Sequence, residues 1–108
     1  MDGLNIKNIK ELVEVLKTLA NLERLKIIAL LTERPMYVSE IARKLKLPYP
    51  LVHMYLNKLE RMGFISSHYE FIKSDKPHVR RYCVLKDFSI TISPNLIKQL
   101  IKKGERND

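Results

Sequence analysis

Tryptophan is absent from this 108-residue chain and cysteine occurs once, as Cys83. A lone thiol excludes an internal disulfide and suits a reducing cytoplasm. No apolar run approaches the length of a membrane span, and the first residues, MDGLNIKNIK, lack a secretory signal pattern, so no membrane partner is expected. Also missing are a glycine-rich phosphate loop, an HExxH pair and a nucleophile elbow, while Asp87 and the scattered glutamates suggest no acid–base pair. A chain this short makes one domain with a modest core, and no enzyme is expected. A hairpin can bring distant residues together, but His68, His78 and Cys83 lack paired CxxC or HxxxH spacing. They read as a half-buried thiol and two surface histidines, with no metal and no cofactor.

Positive charge is what the chain has in excess: +8 in total, with ten Lys/Arg against four Asp/Glu in residues 39–86. Residues 1–38 and 87–108 are each only +1. A basic centre is the electrostatic footprint expected for a phosphate-backbone partner. Anionic membrane would want a basic amphipathic helix with aromatic anchors, which is not seen. Heavy use of isoleucine, leucine, lysine and glutamate points to a thermophilic source.

That basic centre contains SEIARKLKLPYPLVHMYLNKLERMG, residues 39–63. Ser39 is a candidate cap for a first helix with Ile41, Ala42 and Leu45 inward and Glu40 in its first turn. Pro48 and Pro50 break it, and Pro50 suits the start of a second helix. There Val52, Tyr55, Leu56, Leu59 and Met62 recur at helical spacing until Gly63. Two short helices with a sharp break make a helix-turn-helix candidate. The outward face of helix 50–62 carries Pro50, His53, Met54, Asn57, Lys58 and Arg61, with Tyr49 just before it. Taken alone, that face is equally compatible with plain solvation.

Upstream, Asn5–Leu19 reads as a helix with two apolar stripes: Ile6, Ile9, Val13 and Leu16, and beside it Leu12, Val15 and Leu19. So wide an apolar surface serves either a fully buried core helix or one that touches its own domain on one side and a second chain on the other. The second use is expected. Asn21 caps a further helix, Leu22–Glu33, with Leu25, Ile28, Ala29 and Leu31 for the core, and Pro35 ends it. Met36-Tyr37-Val38 is a short extended piece. After Gly63 the period becomes alternating, with Ile65, Ser67, Tyr69 and Phe71 on one face of a strand from Phe64 to Ile72. A polar turn follows, Lys73–Val79, and a return strand over Arg80–Lys86, giving a hairpin at 64–86 rich in Lys73, Lys76, His78, Arg80 and Arg81. Its strands show no ordered pair of exposed aromatics for stacking single-stranded RNA. Phe88, Ile90 and Ile92 continue the alternation. Pro94 opens a last helix, 94–103, with Leu96, Ile97, Leu100 and Ile101 as its stripe, and GERND reads as a frayed tail.

Helices, a helix-turn-helix, a basic hairpin and a closing helix predict a mainly α winged helix-turn-helix domain spanning 1–108. From about Leu16 to Leu85 the sequence also resembles the ArsR-like winged-helix transcriptional regulators of bacteria and archaea. LANLERLKIIALLTE looks like that family's second helix, with Ala20-Asn21, Arg24-Leu25 and Ile28 at the customary places. SEIARKLKL is similar to its first helix-turn-helix helix. LVHMYLNKLERMGFI resembles its recognition helix, matching at Val52, Leu56, Leu59, Gly63 and Ile65, and HVRRYCVL resembles the outgoing wing strand. The chain departs from the pattern at Lys46, where glycine is usual, and at Pro48, Tyr49, Pro50, Leu51, His53 and Met54, where polar groups usually face the groove. Tyr37 and Ser39 stand where metal-sensing members carry cysteines, so that sensor is absent.

The resemblance implies a double-stranded DNA partner and a homodimer. Recognition would fall to Tyr49, Pro50, Leu51, His53, Met54, Asn57, Lys58 and Arg61. Backbone contacts would come from Ser39, Lys44, Lys46, Lys73, Lys76, His78, Arg80 and Arg81. Ile6, Ile9, Leu12, Val13, Leu16, Leu96, Ile97, Leu100 and Ile101 would join the protomers. The competing reading is a winged-helix module that binds protein through Tyr49, Leu51 and Met54.

Overall fold

The computed structural model describes residues 5–106 and the backbone of Asp2–Gly3. In chain order the elements are β1 (Asp2–Gly3), α1 (Ile9–Leu19), α2 (Leu22–Leu31), β2 (Met36–Tyr37), α3 (Val38–Leu45), α4 (Tyr49–Arg61), β3 (Ile65–Ile72), β4 (His78–Leu85), β5 (Phe88–Ser89) and α5 (Pro94–Arg106). This is the winged helix-turn-helix plan.

Local chemistry sets the helix starts. Asn8 accepts the Glu11 N–H at 2.8 Å, and the Glu11 carboxylate accepts the Lys7 N–H at 2.7 Å. That cap starts α1 at Ile9 rather than Asn5, and leaves Ile6 in an extended lead-in packed on the core. Asn21 caps α2 through the Arg24 N–H at 3.0 Å. Within α2 the buried residues are Ile27 and Leu31, whereas Leu25 and Ala29 are exposed. The helix ends at Leu31, earlier than the Glu33 expected. Ser39 does not cap α3. Pairing of Met36 with Cys83 and Tyr37 with Tyr82 holds the chain extended through Tyr37, so the helix begins at Val38 and Ser39 lies inside it. Glu40 takes over the capping, accepting the Tyr37 N–H at 3.1 Å and the Arg34 guanidinium at 2.8 Å.

Helices α3 and α4 end in the same way. Leu47 N–H donates to Ala42 O at 3.0 Å and Lys46 N–H to Arg43 O at 3.3 Å; Phe64 N–H donates to Leu59 O at 2.9 Å and Gly63 N–H to Glu60 O at 3.0 Å. Each is a Schellman ending with one left-handed residue. At the second end that residue is Gly63, φ 88°, and at the first it is Lys46, φ 55°.

The sheet runs β2-β4-β3, antiparallel throughout, with Ile65 opposite Leu85 and Ile72 opposite His78. At its base Ile65 and Cys83 are inaccessible, while Tyr69 and Phe71, expected on a half-buried face, are exposed. A two-residue parallel pairing of β1 with β5 was not foreseen. The core gathers Ile27, Met36, Ile41, Val52, Leu56, Leu59 and Phe64, and Phe64 meets Phe88 edge-on at 4.6 Å. Ser93 Oγ accepts the Leu96 N–H at 3.1 Å to start α5, which continues through Gly104–Arg106 rather than fraying there. Asn107 and Asp108, the end of the expected tail, lie outside the described residues.

Candidate nucleic-acid interface

Alternation along β4 decides which wing cations reach solvent. Val79, Arg81, Cys83 and Leu85 share one face, and Arg80 and Tyr82 share the other. Arg81 therefore points toward α4, where it is 6% exposed. Its Nε donates to Ser67 Oγ at 2.8 Å, Nη1 to Asn57 Oδ1 at 2.7 Å and Nη2 to Glu60 Oε1 at 3.2 Å. The Ser67 hydroxyl, accepting from Arg81, donates to the same Glu60 oxygen. The Ser67 hydroxyl and then the Arg81 guanidinium hold the Glu60 carboxyl below the usual carboxylate range. Arg81 is thus a buried clamp between wing and second helix, not the surface phosphate contact expected of it.

Arg80 fills the outward role. Its guanidinium lies 3.6 Å from the Tyr37 ring centroid, a cation–π stack, and Tyr37 packs in turn on Tyr82 at 4.9 Å. The Tyr37 hydroxyl donates to Glu70 at 2.7 Å, which raises the phenol's pKa. Beyond Tyr37, Ser39, Tyr49, His78 and Arg80 line a groove of about 220 Å³ between the start of α3 and the wing. Lys44 and Lys46, at the end of α3, and Lys73 and Lys76, at the wing tip, are exposed.

Along α4, Tyr49, Pro50, Met54 and Asn57 are exposed and Leu51 and His53 half-buried. Two of the proposed readers are elsewhere. Lys58 pairs with Glu14 of α1 at 2.9 Å, across the helix interface, and that contact lowers the Glu14 pKa. Arg61 sits beside Asn5, Ile6 and Glu11, at the far end from His53. A further difference concerns the wing: Tyr69, Phe71 and Val79 stand exposed together on the α4-facing side, so an aromatic pair does exist.

The family described as bacterial regulatory protein, arsR family, matches residues 22–67. A helix-turn-helix-type transcriptional regulator of Methanocaldococcus jannaschii, itself uncharacterised, is 30% identical over 84 residues, covering 78% of this chain and 85% of that protein. This chain belongs to the ArsR family. Among solved structures, HlyU from Vibrio cholerae superposes with a TM-score of 0.57 at 24% identity, covering 94% of this chain and 96% of that one. The homodimeric winged helix-turn-helix DNA-binding domain Mb0332 from Mycobacterium bovis gives 0.58 at 19%, covering 91% and 78%. These two support the fold. The family is one of transcriptional regulators, not of enzymes.

In this ArsR-family chain the apolar stripes divide. Leu12 and Leu100 are 3% and 6% exposed, packed within their own fold, and are not free to meet a partner. Val13, Leu16, Ile97 and Ile101 are each more than 40% exposed, and Ile9 and Leu96 are half-buried. On the wing, Cys83 is buried on the face opposite His68 and His78, whose register positions are themselves four residues apart. Among the described residues no three metal-ligating side chains cluster. Glu60, Ser67 and Tyr37 were not singled out as site residues from the sequence. An arginine at an inward strand position, two alternations from Leu85, was the available sign that such partners exist.

Proposed function

We propose that this chain binds double-stranded DNA as a homodimer and regulates transcription, with α4 in the major groove and the wing on the flanking backbone or minor groove. The observation that carries this reading is the surface at the start of α4. There Tyr49 lines a groove edged by Ser39, His78 and Arg80, His53, Met54 and Asn57 follow along α4, and Lys44, Lys46, Lys73 and Lys76 are exposed at the end of α3 and at the wing tip. Polar and apolar groups on the helix read base edges, and the cations neutralise phosphate, the larger and less specific part of the affinity. Met54 and Tyr49 suit thymine methyls. The apolar wing face of Tyr69, Phe71 and Val79 lies against sugar walls. Lys58 leaves the recognition set and Arg81 the backbone-contact set because their charges are engaged within the fold.

The outward sides of α1 and α5 support the dimer, with Val13 and Leu16 on one helix and Ile97 and Ile101 on the other. The homodimeric Mycobacterium bovis domain of the same fold agrees with it. Two α4 helices about 34 Å apart imply an inverted-repeat site. Titrating binding to a random duplex against salt tests the reading: log affinity should fall steeply, and Arg80→Ala should flatten the slope by about 0.9 per subunit. The exposed Met54, Tyr49, Tyr69 and Phe71 favour a second reading, a protein-binding module, which predicts weak duplex binding with little salt dependence.

A further inference from the structure

We infer that Arg81, only 6% exposed, is a specificity-positioning residue: it orients the Asn57 amide so that α4 presents hydrogen-bond donors to DNA. This rests on the DNA-binding reading above and adds to it which base edge is read.

A guanidinium has no acceptor, so the 2.7 Å contact from Arg81 Nη1 must end on the Asn57 carbonyl oxygen. The Asn57 NH2 is thereby turned the other way, where it lies 3.4 Å from His53 Nδ1, a longer and weaker contact one helical turn back. An amide NH2 only donates, so His53 Nδ1 accepts, and the ring proton of neutral His53 sits on Nε2. Glu60 and Ser67 fix the guanidinium from its other edges, so the orientation starts in a buried ion pair between wing and helix and ends at the half-buried His53. With its carbonyl turned toward a charged donor on the wing, Asn57 offers the groove an N–H. His53 Nε2 offers another.

Two donors in the major groove match the O6 and N7 acceptors of guanine, not the donor-plus-acceptor edge of adenine for which a freely turning asparagine is suited. The preferred half-site should therefore carry a G·C pair under Asn57 and His53. An asparagine at this position, free to turn, would suit adenine; the Arg81 contact is the reason Asn57 does not.

The test is a double-mutant cycle on discrimination, defined as affinity for the selected half-site over affinity for the same site with that G·C pair replaced by A·T. Arg81→Met keeps the buried aliphatic stem and should lower discrimination about tenfold, leaving the salt slope on random duplex unchanged because no phosphate contact is lost. Asn57→Ala should lower it similarly, and the double variant should be no worse than Asn57→Ala alone. Arg81→Lys keeps a charge against Glu60 without the guanidinium fork; it should stay folded and lose the same discrimination, which covers the case in which Arg81→Met does not fold. Additive losses, unchanged discrimination in Arg81→Lys, or selection of A·T at that position would each overturn the inference. A wild-type protein with no salt-steep duplex binding would instead overturn the DNA-binding reading itself.

Discussion

Lys46 is the one non-glycine residue with positive φ among the described residues, at φ 55° and ψ 47°. A side chain there brings Cβ close to the following carbonyl oxygen, at about 1–2 kcal/mol for an L-residue. Lys46 is exposed, so little packing offsets that strain. Both Schellman hydrogen bonds depend on the left-handed conformation, and the chain adopts it nonetheless. Lys46→Gly should therefore stabilise the fold by about 1 kcal/mol, after allowing for the greater freedom of glycine in the unfolded chain. For a domain of this size that is a rise in Tm of about 4 °C. Lys46→Ala is the necessary companion, since it removes the charge but keeps Cβ. Thermal unfolding of all three proteins at one protomer concentration separates the effects: only the glycine variant should gain stability. Both variants should lose the same single cation's worth of salt slope on DNA, about 0.9 per subunit if Lys46 meets phosphate. A glycine variant no more stable than the alanine variant would refute the strain argument.

Three further outcomes are expected. Leu16→Glu should yield a folded monomer by light scattering at micromolar concentration, because Leu16 is 43% exposed within the protomer; Leu12→Ala, at a site 3% exposed, should instead cost about 2–5 kcal/mol of stability in urea unfolding. Acid should destabilise the protein: Glu60 is held down by Ser67, Glu14 by Lys58 and Glu40 by Arg34, so each folded pKa lies below its unfolded value. Their contribution is complete above the ordinary glutamate pKa of about 4.3 and is lost as pH falls through the folded values, so urea midpoints should drop below about pH 4.5, less steeply in Glu60→Gln. Arg80→Ala should also relax Tyr37, detected as a change in tyrosine fluorescence, because the cation–π stack at 3.6 Å is removed.

The helix-turn-helix and the hairpin were legible because their signals are local. Proline breaks, Gly63 and the change from helical to alternating period each act within a few residues. What the sequence hid was set from a distance. Ser39 has the chemistry of a cap, but strand pairing with residues more than forty positions away extends the chain past it to Tyr37. Leu25 was assigned to the core and Ile27 passed over because apolar residues surround α2 on most sides, and only tertiary packing selects Ile27. At the start of α1 the signal was present and unread: Asn8 with Glu11 three residues on is a cap signature, and it shortens the helix. For the site, charge was the right guide to a basic surface and a poor guide to individual cations. Arg80 and Arg81 are neighbours of one type, and strand alternation sends one to the half-exposed outer face beside Tyr37 and the other into a buried network.

Cys83, inaccessible at the base of the sheet opposite Met36 and Ser67, has a consequence for following this protein in time. Burial pushes its thiol pKa up, so the closed state keeps it as an unreactive thiol. It is also the chain's single sulfhydryl, so any alkylation or disulfide exchange must pass through a conformation in which β4 has parted from its neighbours. The labelling rate at fixed reagent and pH is therefore a clock for sheet opening, readable by intact mass without an introduced probe. Since Arg81 lies two residues away on the same face, loosening of the wing from α4 should set that clock running faster long before the helices melt.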